Sequence, residues 1–262
     1  LSTSRLVLTE ALRKGEPCRA GDIAAAYLKG LSMESDEVYV KATEEFLEYL
    51  HIPSLDTSIQ MLKQNMLDDY YKLKESTKNQ KKIVLRVLQP LPGSKQAGFL
   101  WHERLVILLK SLGFRKSKVD PCLFILEKEE CMTYVIAWVD DIMGTGKHFY
   151  LVEEEMKRQW DTEFENLQHY LGCKYEFSKD NRQCKITQTE YIRTLLGQYG
   201  MEDIKPSRTP WPIGLTTLTQ DDCPKDGEPR LDKPYPSLLG ALLWVSRCTK
   251  PEISFHVGIC AS

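Results

Sequence analysis

Near the start of the chain the apolar positions Leu6, Leu8, Ala11 and Leu12 follow a helical spacing, with Ser2 or Thr3 placed to cap the helix and Gly15 to stop it. A short strand is expected at 18–23, carrying Asp22 to its end, just ahead of Ala24, Ala25, Ala26 and Tyr27. Gly30 turns the chain toward a second strand at 37–41. Residues 42–80 are polar and helix-prone, with a stripe of Met61, Leu62, Met66, Leu67, Tyr70 and Leu73. A strand at 81–88 precedes the breakers Pro90, Pro92 and Gly93. Trp101, Leu105, Leu108, Leu109 and Leu112 then recur at three and four up to Gly113, the strongest helical periodicity in the chain.

From 122 to 144 two β-prone runs alternate with polar breaks at Glu127 to Glu130 and at Asp140 and Asp141, which predicts three strands with the acidic pair in the second turn. A helix at 148–160 leads to a hairpin of 170–177 with 183–186, turning at Asp180 and Asn181. Thr187 and Glu190 have the spacing of a capping box for a helix ending near Gly200. Seven prolines between 206 and 236 mark an irregular connector. Two apolar helices are expected after it, at 236–248 and 251–260, with Pro251 in a first turn.

At 262 residues and 42% hydrophobic side chains, the chain can bury one large core or several smaller ones. No run reaches the roughly 18–20 apolar residues that span a bilayer, so no membrane partner is expected. The chain begins at Leu1 with no leader pattern and stops while still apolar, so it is expected to be an excised piece of a longer protein. Its eight cysteines lack zinc-ligand spacing and point to a reduced, intracellular setting. The net charge of −2 does not favour nucleic acid, but basic residues crowd two segments. One runs through Lys72, Lys74, Lys78, Lys81, Lys82 and Arg86, the other through Arg104, Lys110, Arg115, Lys116 and Lys118. Each cluster alone also reads as a solvated face.

The acidic pair changes the picture. Two adjacent aspartates between apolar strands repel unless something positive sits beside them, and a divalent cation would resolve the repulsion. Mg²⁺ takes one or two carboxylates, supplemented by water and phosphate oxygens. Asp140 with a remote strand-end carboxylate such as Asp22 would suit a pair of ions. A bare Asp-Asp dipeptide also simply makes turns. Here the apolar flanks of WVDDIMG hold the pair on strands instead of in a polar loop.

RAGDIAAAYLKG at 19–30, GSKQAGFLWHERL at 93–105 and WVDD at 138–141 resemble, in order, the first three polymerase motifs of copia-type retrotransposon reverse transcriptases. LKSLGFRKSKVDPCLFI at 109–125, YLGCKYEF at 170–177, YIRTLLGQYGMEDIKPSRTPW at 191–211 and YPSLLGALLWVSRCTKPEISFHVGICAS at 235–262 continue the likeness. It covers nearly the whole chain, apart from an apparent insertion around 50–80. Trp138 stands where the family usually has Tyr, and Ala24 where it usually has Lys.

The resemblance implies an α+β fold: a palm with an antiparallel sheet backed by helices and partial fingers over 1–180, the fingers portion at about 41–95, and a truncated thumb and connection segment over 181–262. It implies RNA-directed DNA synthesis with Asp22, Asp140 and Asp141 as catalytic ligands of two Mg²⁺ (or Mn²⁺) ions. Tyr27 would be a steric gate under the incoming sugar and Gln96 a nucleotide contact, with Tyr170, Leu171 and Gly172 as the primer grip. Tyr27 also reads as a core residue beside Leu28, and Gln96 as a helix-start glutamine. The implied partners are an RNA or DNA template with primer, dNTP, and the integrase and ribonuclease H of a Pol polyprotein. The implied location is the cytoplasm, within virus-like particles. With the upstream fingers and the ribonuclease H segment outside it, the isolated chain is expected to extend primers poorly. Two rivals stand beside this reading: an inactive retrotransposon relic that keeps the fold and binds nucleic acid, and a palm-fold nucleotidyl transferase or cyclase acting on free nucleotides.

Overall fold

In the computed structural model, which describes residues 2–33, 38–41, 84–210 and 234–261, antiparallel strands form the sheet that carries the acidic residues. The helical stripe at 42–80, its lysines, the expected strand start at Glu37, residues 81–83 and most of the proline-rich connector lie outside the described residues. The chain divides into two units, Leu1–Ala24 with Leu108–Ser262, and Ala25–Ile107.

The first unit opens with α1 (Ser2–Lys14), whose buried residues are Ser4, Val7, Leu8 and Ala11. Leu6 is 56% exposed, so the buried stripe is centred on Val7, which completes the three-and-four spacing that Leu6 breaks. The strands of this unit's main sheet are β1 (Cys18–Asp22), β4 (Arg115–Lys116), β5 (Leu123–Lys128), β6 (Cys131–Trp138), β7 (Asp141–Thr145) and β8 (Glu165–Asn166). Between β1 and β4 in sequence, β2 (Tyr39–Lys41) and β3 (Val84–Arg86) belong to the other unit. The main sheet has the order β4-β5-β6-β7-β1-β8, every neighbouring pair antiparallel. The first strand of the unit is thus inserted between two late ones. The Thr145 hydroxyl supports that insertion by donating to the Pro17 carbonyl across 128 positions of sequence.

Register assigns the faces. Leu123, Ile136 and Met143 stand opposite one another on β5, β6 and β7. They join Val7, Leu8 and Ala11 of α1 in one core, together with Leu167, Tyr170, Cys173, Tyr175 and Cys248. The opposite face is covered by α3 (Tyr150–Trp160), which buries Val152, Met156 and Trp160. On that face Phe149 and Phe164 meet edge to face, their ring centroids 5.5 Å apart. Gly144 and Gly21 let these rings lie against the strands. A Cβ at Gly144 would be 2.2 Å from the Phe149 ring, and one at Gly21 2.8 Å from the Phe164 ring.

A second sheet in this unit has the order β11-β10-β9, from β9 (His169–Tyr170), β10 (Cys173–Phe177) and β11 (Cys184–Thr187). Leu171 and Gly172 join β9 to β10 with positive φ of 48° and 72°, the pattern of a type I′ hairpin. The turn between β10 and β11 is held by Asp180 Oδ1, which accepts from the Ser178 hydroxyl and the Arg182 amide. The capping box is not formed. Thr187 is still paired to Lys174 in β11, so α4 (Thr189–Tyr199) starts later, with Gln188 at its N-cap. Glu190 is thereby left outside the box position and pairs with Arg193 at 2.6 Å. Beyond the connector come α5 (Tyr235–Cys248), a 3-10 turn at Pro251–Ile253 and α6 (Ser254–Cys260).

The other unit holds a 3-10 turn at Ala26–Lys29, the antiparallel pair of β2 and β3, and most of α2 (Ala97–Ser111). Within it Trp101 and Leu105 are buried, as their periodicity predicts. No helix among the described residues is long and apolar enough to cross a membrane.

Candidate active site

β6 and β7 form a tight hairpin in which Trp138 pairs with Asp141, leaving only Val139 and Asp140 as the loop. Val139 takes a φ of +58°, a conformation that costs a β-branched side chain on the order of 1–2 kcal/mol. The adjoining strands carry that strain, since the apolar runs on either side are buried and fix the register.

β1 ends beside this hairpin. Asp22 stands directly opposite Asp141. Directly opposed residues of antiparallel strands share a face, with Cβ atoms roughly 4.5–5.5 Å apart, so the two side chains leave the sheet together. Trp138 shares that face by register and is 53% exposed. Asp140 is bound to the same place through its backbone: the Ile23 amide donates to the Asp140 carbonyl at 3.0 Å. Three acids from two distant segments therefore meet at one end of the sheet.

Their electrostatics are uncompensated. Burial, and then the charges of Asp140 and Asp22, push the Asp141 carboxyl above its ordinary value. Among the described residues no basic side chain pairs with any of the three, although nine ion pairs form elsewhere among those residues. This is the local field that a divalent cation would relieve. The acids do not form a closed cage. Among the described residues no three His, Cys, Asp or Glu side chains are gathered to hold an ion by themselves. An open carboxylate set fits Mg²⁺, which keeps water and phosphate oxygens in its shell.

The remaining sequence-derived residues fall in two places. Tyr170, Leu171 and Gly172 make the tip of the β9–β10 hairpin, with Gly172 exposed and the Tyr170 side chain buried at 3% exposure. Tyr27 and Gln96 belong to the other unit. Tyr27 lies half-buried in the 3-10 turn, its ring edge 3.9 Å from where a Cβ on Gly98 would be. Gln96 is half-buried just before α2, and its carbonyl accepts from the Leu100 amide at 2.9 Å. Cys122, Cys131 and five other described cysteines are free thiols.

Three features of the site escaped the sequence: the strained Val139, the amide of Ile23 that ties Asp140 to β1, and the buried Tyr170 hydroxyl. The first had a signal, because a two-residue loop between paired strands favours positive φ.

The family model described as reverse transcriptase (RNA-dependent DNA polymerase) matches residues 48–212. The chain is 28% identical over 187 residues to the retrovirus-related Pol polyprotein from transposon TNT 1-94 of Nicotiana tabacum, covering 68% of this chain and 14% of that protein. It is 27% identical to the Pol polyprotein from transposon RE2 of Arabidopsis thaliana and 26% identical to that from RE1, in both cases over 98% of this chain and 15% of the relative. The chain thus spans about one seventh of the length of these relatives. No solved structure matches it.

Proposed function

Since the chain belongs to the copia-type reverse transcriptase (RNA-dependent DNA polymerase) family, we propose that it is the polymerase core of a retrotransposon Pol polyprotein and extends a primer 3′ end with dNTP on an RNA or DNA template. The observation that carries this reading is the opposition of Asp22 and Asp141 on one sheet face, with Asp140 in the adjoining turn and no positive partner for them among the described residues. In this reading the first sheet is the palm, 41–95 contributes to the fingers, and the segment after 180 is thumb and connection.

Asp22, Asp140 and Asp141 would hold two Mg²⁺ (or Mn²⁺) ions. When bound, the ions supply acidification of the primer 3′ hydroxyl and charge stabilisation of the leaving pyrophosphate. The chain's own contribution is placement. The short β6–β7 hairpin and the Ile23 amide keep the acids from turning away from one another. The β9–β10 tip would offer backbone groups to the primer end, since Gly172 leaves the turn open on its exposed side. Tyr27 would lie under the incoming sugar and exclude a 2′ hydroxyl by bulk, with Gln96 near the same nucleotide. Integrase and ribonuclease H are the expected neighbours in the polyprotein.

Primer extension on an RNA template tests the reading, assayed with the polyprotein and its Asp140→Asn form. Extension that falls about a hundredfold or more in the variant supports it. Salt-sensitive binding of primer–template without extension in either form would instead identify a relic. Incorporation of free nucleotides with no template would identify the palm-fold transferase. Tyr27→Phe should keep deoxynucleotide preference and Tyr27→Val should admit ribonucleotides. Equal loss with both sugars would make Tyr27 a packing residue.

A further inference from the structure

Tyr170 closes β9 just before the hairpin tip, and it is buried in the main core, the cluster that also holds Met143, Ile136, Cys18 and Cys173. Its hydroxyl is buried and makes no hydrogen bond. An unsatisfied buried hydroxyl is destabilising, so for packing alone phenylalanine would be the better side chain at this position. The oxygen calls for a partner.

Asp141 is the group placed to be that partner. Asp141 and Met143 are alternate residues of β7 and leave the same face of the sheet, the face from which Met143 enters the core that also holds Tyr170. Of the charged groups acting on the Tyr170 phenol, Asp141 acts most strongly, ahead of Asp120. Asp120 is already engaged, through the Thr3 hydroxyl on one oxygen and the Cys122 amide at 2.8 Å on the other. No hydrogen-bond donor acts on the Asp141 carboxyl among the described residues.

We propose that Tyr170 is a positioning residue of the acidic centre, its hydroxyl donating to the Asp141 carboxylate, directly or through one water, and so fixing which oxygen Asp141 presents to a divalent cation. The inference rests on the metal-site reading above. It gives the β9–β10 hairpin a second role, because the element expected to hold the primer end also orients an ion ligand. A shift of the hairpin would then alter metal binding as well as primer placement.

Mn²⁺ binding to the full chain, followed by electron paramagnetic resonance of the free ion, tests this without any need for catalysis. Tyr170→Phe removes one oxygen and keeps the ring. It should leave thermal unfolding of the metal-free chain unchanged or slightly raised, and weaken Mn²⁺ binding about tenfold. Tyr175→Phe serves as comparison, because this second tyrosine of the same core answers to Cys173, Cys248 and Cys184 and not to Asp141. It should leave Mn²⁺ affinity unchanged. Equal weakening in both variants would mean a packing role and overturn the proposal. Wild-type affinity in Tyr170→Phe, with binding lost in Asp140→Asn, would overturn the Tyr170 role and spare the metal site. Mn²⁺ affinity unaltered by Asp140→Asn would remove the metal site and this proposal with it.

Discussion

Asp141 is half-buried between two other acids, and the folded chain therefore binds its proton more tightly than the unfolded chain does. The sign of the consequence follows from linkage. The group favours the fold below the ordinary aspartate range, near about 3.9, and that contribution is lost as pH rises from there through the raised value. At neutral pH the ionised Asp141 is a net cost. Asp141→Asn should then stabilise the metal-free chain at pH 7, by a fraction of a kcal/mol because water screens a half-exposed carboxylate, or about 1 °C in Tm. The gain should vanish below about pH 3, and a gain that persists there in thermal unfolding would point to packing instead. The acids themselves were legible in the sequence, since their apolar flanks marked strand ends. The Tyr170 hydroxyl was not, because its unpartnered burial arises from packing between two sheets, which no local pattern records.

At the scale of elements, the sheet owes its close cover to two glycines. A Cβ at Gly144 would meet both the Phe149 ring and, at 2.5 Å, the Tyr134 carbonyl oxygen. The ring can yield but the backbone oxygen cannot. Gly144→Ala should cost about 2–3 kcal/mol, lowering Tm by roughly 5–10 °C, with a second change of Phe149→Leu restoring only part of the loss. Full restoration in calorimetry would show that the ring is the whole obstacle. Periodicity found the strands around the acidic pair and the helix through Trp101 and Leu105, because burial on one face imposes it. It misplaced the stripe of α1 by admitting Leu6, and it read Thr187 as a cap when pairing to Lys174 keeps that residue in a strand. Long-range pairing overrode local pattern in the second case. No local pattern announces such pairing.

For the whole molecule, the unpaired acids predict a stability that depends on divalent ions. With free Mg²⁺ at about ten times its dissociation constant, binding to the folded form alone adds about 1.4 kcal/mol, or about 3–5 °C in Tm. The increment should shrink as pH falls through the carboxylate range and disappear in Asp22→Asn combined with Asp141→Asn. A Tm that ignores Mg²⁺ in the wild-type chain would mean that the acids bind no ion at low concentration.

The insertion of β1 between β7 and β8 also sets a timetable for folding. During synthesis β1 leaves the ribosome with both of its edges open, and neither partner exists until more than a hundred further residues have been made. At about 5–20 residues per second that delay lasts several seconds. Asp22 and Asp141 consequently stay apart in the nascent chain, which cannot assemble the acidic centre before the sheet is complete. In refolding followed by pulsed hydrogen exchange, the amides of Ala20 and Asp22 should gain protection after those of β5 and β6, whose hairpin closes locally. Protection of β1 in the earliest phase would reverse that order. The centre is thus a checkpoint of folding as well as a product of it, assembled only in chains whose two distant segments have found each other.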